Sequence, residues 1–178
     1  MAAHYDPLRP LRPALLITLF ILLSPLLTGA VRWCKNVAVM GRIQPNNVRV
    51  YGVLLRAGHV LIAAEKIGRR DVLKFPGGAV EAGETPEAAL KREFIEEGNL
   101  AVTPAYLLHV PGTLFSPWTQ GEYTPIFYRV LSEGKPRVPD HETVELTFMD
   151  PKQAIDSGRM AAPEILALKR ALNAEEAS

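Results

Sequence analysis

Three glutamates, Glu93, Glu96 and Glu97, follow directly on an arginine, Arg92, and a glycine pair, Gly77 and Gly78, lies upstream of them. On a helix that advances roughly 100° per residue the three acids fall within one arc, with Arg92 at its edge. Leu90, Phe94 and Ile95 take the other side and can face a core. Left to itself this arrangement is unfavourable. Glu93 and Glu97 are a like-charge i,i+4 pair, costing about 0.2–0.5 kcal/mol, and all three acids sit towards the negative end of the helix dipole. A hard divalent cation turns that penalty into a binding site, because Mg²⁺ takes oxygen ligands and shares them with substrate phosphates. A merely solvated acidic face is the competing reading.

Such a cluster needs a helix that starts and stops in the right places. Thr85 suits the N-cap, Pro86 the first helical position, and Glu87 the positive N-terminal end. Gly77 and Gly78 allow the backbone to approach a metal or a phosphate closely.

Residues 78–100 resemble the Nudix box. Its glycine, Glu, Arg-Glu, hydrophobic residue, Glu-Glu and closing hydrophobic residue are matched by Gly78, Glu84, Arg92, Glu93, Phe94, Glu96, Glu97 and Leu100. Asn99 stands where the family has its last glycine, a position that calls for a left-handed backbone, and Asn tolerates that better than other non-glycine residues. The resemblance implies a hydrolase that cleaves the diphosphate linkage of a nucleoside diphosphate derivative, of nucleotide-sugar or ADP-ribose type. A nucleoside triphosphate or RNA 5′-end pyrophosphohydrolase, and a non-catalytic nucleotide sensor, are the alternatives. It also implies Mg²⁺, or Mn²⁺, held by Glu93, Glu96, Glu97 and the main-chain carbonyl of Gly77. Arg92 would orient Glu93, and Glu84 would act as a water-mediated metal partner or as a structural clasp of the loop. Glu81 falls at a position the family leaves free and reads as a solvated charge.

The base that activates water is expected to be Glu93 itself or a later residue, Glu142 first and Glu145 second; His141 beside them reads as a surface histidine. Phe115, Trp118 and Tyr123 could stack on a nucleobase, where aromatic faces contribute about 1–3 kcal/mol per base. A proline near Pro117 is a feature of relatives resembling ADP-ribose hydrolases, but Pro104 and Pro111 also lie in this stretch.

Composition suits one catalytic domain. Of 178 residues 48% are hydrophobic and 22% charged, enough for a sizeable core. A formal net charge of +1 gives no reason to expect DNA binding. The lone Cys34 rules out an intramolecular disulfide or a cysteine-based zinc cluster. The sequence leaves a homodimer open.

Residues 1–39 read as a hydrophobic leader and residues 40–178 as the domain. An uncharged run of 18 residues opens at Ala14 and closes at Val31, preceded by Arg9 and Arg12. As a helix it would span about 27 Å, just short of a ~30 Å hydrocarbon core. It reads first as a membrane tether or uncleaved signal, then as an export signal cleaved near Ala30 or as a misassigned start with Met40 as the true first residue. A buried core helix comes last. The domain itself is expected in the cytoplasm, at the membrane if the leader is a tether.

Beyond residue 47 the pattern alternates strands and helices. Strands are expected at 48–55, 60–64, 72–75, 106–110, 125–131 and 144–149, and helices over the box, 151–156 and 163–173. That is an α/β chain, and the resemblance implies an α/β/α sandwich with a mixed sheet.

Overall fold

The computed structural model describes residues 47–116 and 120–177. The leader readings for residues 1–39 and the candidate Trp118 fall outside the described residues. Within them no helix is long and apolar enough to cross a membrane.

Two nine-residue strands, β1 (Val48–Arg56) and β2 (His59–Ile67), open the fold. Ala57 and Gly58, both at positive φ (47° and 74°), make the two-residue turn whose twist matches that of the flanking strands. Then come β3 (Arg70–Lys74), β4 (Gly77–Ala79), helix α1 (Pro86–Gly98), β5 (Thr103–His109), β6 (Leu114–Ser116), β7 (Gly121–Leu131) and β8 (Glu145–Met149). Helices α2 (Pro151–Asp156) and α3 (Ala162–Glu176) close the chain. The sheet runs β3-β2-β1-β7-β5, with β4 paired to β1, β6 to β7 and β8 to β2. It is mixed: β1 and β7 pair in parallel, from Val48 opposite Thr124 to Leu54 opposite Val130, and the other pairs are antiparallel.

Alternation along β1 explains the sandwich. Val50 and Leu54 point to a core shared with Ala89, Leu90 and Phe94 of α1. Tyr51, Val53 and Leu55 point to a second core shared with Ala154 of α2 and Ala167, Leu168 and Ala171 of α3. One face of the sheet thus holds the box helix and the other the C-terminal helices.

Two strands go beyond the sequence expectation. The glycine pair, which lies outside the expected strands, is strand β4, with Gly77 opposite Tyr51 and Gly78 opposite Val50. Glycine has low strand propensity, so only the distant partner β1 makes it a strand. Likewise β6 forms by pairing with the start of β7. Helix α2 spans the residues expected of it, capped by Asp150, whose carboxylate accepts from the Gln153 N–H.

Candidate active site

Helix α1 begins as its sequence dictates. Thr85 is the N-cap, its hydroxyl accepting from the Ala88 N–H at 3.2 Å, with Pro86 in the first turn. It ends at Asn99, which is left-handed (φ 45°, ψ 40°) and sends its N–H back to the Ile95 carbonyl at 2.8 Å. The helix rests tightly on the sheet: a Cβ on Gly52 of β1 would lie 2.5 Å from the Phe94 ring.

Gly77 and the box glycine Gly78 both serve this approach. Gly77 has φ 138°, and a Cβ there would come within 2.1 Å of the Val50 carbonyl oxygen. A Cβ on Gly78 would lie 2.4 Å from Oε1 of Glu93, so the missing side chain is the cradle in which that carboxylate sits.

Arg92 organises the cluster. Its Nε and Nη2 donate to the two oxygens of Glu84 at 2.9 and 3.0 Å, a bidentate pair. Its Nη1 donates to Glu93 and to Glu96, both at 2.9 Å, and its Nη2 also reaches the Ala79 carbonyl. Glu84 in turn accepts from the Glu81 N–H, so its observed part is that of a clasp tying the loop to Arg92. The Arg92 hydrogen bonds hold the Glu84 carboxyl below its ordinary pKa. Burial pushes Glu93 the other way, above the carboxylate norm, against the pull of Arg92.

Glu97 faces the sheet. Its Oε2 accepts from the Gly77 N–H at 2.9 Å, and its Oε1 lies 3.5 Å from Nζ of Lys74. Burial raises its pKa as well, against Lys74 and the Gly77 N–H. Lys74 also pairs with Glu65 at 2.8 Å. Burial alone would pull the lysine down, but Glu97 and Glu65 outweigh it and leave its pKa above the ordinary value.

Beside Lys74 opens a cleft of about 280 Å³. Arg49, Tyr51, Glu65, Lys74, Tyr123 and Glu164 are among the residues that line it. The Tyr51 ring is held by stacking on Phe127, centroids 5.5 Å apart. Of the aromatic candidates Tyr123 lines this cleft, whereas Phe115 is 61% exposed and does not. Sequence reasoning missed Lys74, Glu65, Tyr51 and Glu164. Lys74 ends a strand three residues before the glycine pair, but nothing local to it announces Glu97.

Glu142 lies on the connection between β7 and β8. That connection meets the C-terminal end of α1, where the Arg137 N–H donates to the Gly98 carbonyl, and Leu146 of β8 lies against Gly98 beside it. The ionic neighbour of Glu142 is His141, at 3.7 Å. Among the described residues no hydrogen bond or ion pair joins it to the box carboxylates.

The donor set suits a hard cation: three carboxylates on one arc, two of them, Glu93 and Glu97, with their charge disfavoured by burial, and a glycine cradle beneath the Glu93 oxygens. Among the described residues no three His, Cys, Asp or Glu side chains already converge as a metal cage. The reason is visible in the contacts: Arg92 and Lys74 supply the positive charge to Glu93, Glu96 and Glu97.

Known proteins are similar to this chain. An 8-oxo-dGTP diphosphatase of Haemophilus influenzae is 60% identical over 35 residues, 20% of this chain and 26% of that protein. The matched stretch is thus about a quarter of that relative's length. A Mycobacterium tuberculosis protein (strain CDC 1551 / Oshkosh), given the same activity provisionally in its name, is 37% identical over 105 residues, 56% of this chain and 71% of that protein. The ORF135 protein of E. coli has the same fold, with a TM-score of 0.60 at 21% identity over 73% of this chain and 91% of that one. A family model described as NUDIX domain matches residues 44–169. The chain therefore belongs to the NUDIX domain family and is a hydrolase of the Nudix type.

Proposed function

We propose that the protein hydrolyses the diphosphate linkage of a nucleoside triphosphate, with the base in the cleft and the phosphates at the box. The observation that carries this reading is Lys74, which lines the cleft and pairs with Glu97 of the carboxylate cluster. A base in the cleft therefore has its phosphates led towards the acids. The cleft lies just below the roughly 300–1,000 Å³ range of small-molecule pockets, a size for one base. The names of the two relatives favour a triphosphate over the nucleotide-sugar or ADP-ribose type.

Glu93, Glu96, Glu97 and the Gly77 carbonyl would hold Mg²⁺ or Mn²⁺. When bound, such an ion neutralises phosphate charge and orients the reacting groups. This chain's own residues do the rest. Arg92, fixed by Glu84, keeps Glu93 in the Gly78 cradle. Water adds to one phosphorus of the anhydride, the bond to the bridging oxygen breaks, and the water's proton passes to a carboxylate. Glu93 is favoured for that proton over Glu142, because it sits within the cluster and its burial raises its basicity.

The test is product analysis with the full chain, Mg²⁺ and a panel of nucleoside and deoxynucleoside triphosphates, ADP-ribose and UDP-sugars. We expect nucleoside monophosphate and pyrophosphate from triphosphates, abolished by chelator. Glu97→Gln should lower turnover by orders of magnitude without lowering the melting temperature. Cleavage confined to ADP-ribose or a UDP-sugar would move the substrate to the nucleotide-sugar class. Nucleotide binding without turnover would make the domain a sensor.

A further inference from the structure

Among the described residues, the cleft lining holds one buried polar side-chain atom without a partner. Glu164, in the first turn of α3, is 8% exposed, and its Oε2 is buried with no hydrogen-bond partner among the described residues. Its carboxyl takes a hydrogen bond from its own main-chain N–H. Neighbouring charges are engaged elsewhere: Glu65 with Lys74, Lys74 also with Glu97, and Arg49 with Asn47. A bare carboxylate oxygen is a poor choice for a helix that packs on a core, and an apolar residue would serve packing better. Its place in the cleft lining is what gives it a use.

We propose that the Glu164 carboxylate is the base-reading group of this cleft and that it selects guanine nucleotides. A carboxylate only accepts hydrogen bonds, so its partner must offer N–H donors. Guanine alone among the common bases presents two adjacent donors on one edge, the ring N1–H and the exocyclic amine. Adenine and cytosine place a donor beside an acceptor, which calls for a protonated acid. Tyr51 and Tyr123, which line the cleft with Glu164, supply apolar faces for the ring. The Tyr123 hydroxyl is pushed up to about 12, by burial first and by the Glu164 charge next, so it stays a neutral donor.

This inference rests on the reading of the cleft as a base subsite, and the experiment separates the two. Calorimetric titration of the full chain with GMP, IMP and AMP needs no turnover, and the first two compare bases that differ only in the exocyclic amine. GMP should bind about tenfold or more tightly than IMP, as expected for a lost hydrogen bond to a charged acceptor. In Glu164→Gln, and in Glu164→Ala as a second variant, that ratio should fall towards one. Hydrolysis of GTP and ITP should follow in KM, with kcat preserved. Equal binding of GMP and IMP by the wild type, a ratio unchanged in both variants, or a preference for AMP would overturn the assignment. A wild type that binds GMP selectively but cleaves no triphosphate would overturn the proposed reaction and leave the role of Glu164 standing.

Discussion

At the scale of single residues, the carboxylate arc fits against the sheet because of atoms that are absent. Gly78 lacks the Cβ that would stand 2.4 Å from Glu93, and Gly77 lacks the one that would stand 2.1 Å from the Val50 carbonyl. Gly78 has the more informative substitution, since its obstacle is a side chain and not the backbone. Gly78→Ala should leave the fold standing but push Glu93 out of line with Arg92. A misplacement of ~1 Å at a reacting centre costs on the order of 10²-fold in rate. Turnover of Gly78→Ala should fall by about that factor while its melting curve stays close to wild type. Wild-type turnover would show that the cradle does not position Glu93. Gly78 was legible from the box pattern and Gly77 as its glycine neighbour, but the need for glycine at each rests on atoms from β1 and α1.

Among elements, α1 has to end where its last acid still faces the sheet. Asn99 makes that ending by adopting a left-handed backbone, with its N–H on the Ile95 carbonyl and the Leu100 N–H on the Phe94 carbonyl. Asn99→Gly should be neutral or slightly stabilising. A β-branched residue pays for the same conformation, and Asn99→Val should cost about 1–2 kcal/mol and lower turnover by disturbing Glu97. Thermal melts and initial rates check both. If Asn99→Val matched the wild type, the helix end would be tolerant of another conformation. This element was legible from sequence because capping depends on residues within one turn. Strand β4 was not, because its partner lies in β1.

For the molecule as a whole, the two cores put a carboxylate cluster on one face and an apolar layer of helices on the other, and Glu164 belongs to the second. Burial raises its pKa above the reference value of 4.5. The charged and titratable groups near it are Lys74, Tyr123 and Tyr51. An acid whose pKa rises on folding contributes its full stability below the unfolded value and loses it as pH climbs through the folded value. Glu164→Gln removes that loss. Urea midpoints in chelating buffer should therefore shift in favour of Glu164→Gln as pH rises from about 4 to 8. Curves that stay parallel would mean that the carboxyl is as well solvated in the fold as out of it.

What the chain determined by itself is everything with a short reach. The three acids share an arc because of their spacing, Thr85 and Asn99 delimit the helix by local hydrogen bonds, and Asp150 caps α2. Those features depend on residues three or four apart, so one sequence read in order contains them. The tertiary structure decided the contact of Lys74 with Glu97, the seating of Glu93 over Gly78, and a cleft assembled from β1, β2, β3, β6, β7 and α3. Each of these depends on which strands become neighbours, above all the parallel pairing of β1 with β7. Such pairings join segments far apart in the chain, where spacing carries no signal, and they are settled only when both faces of the sheet are buried at once.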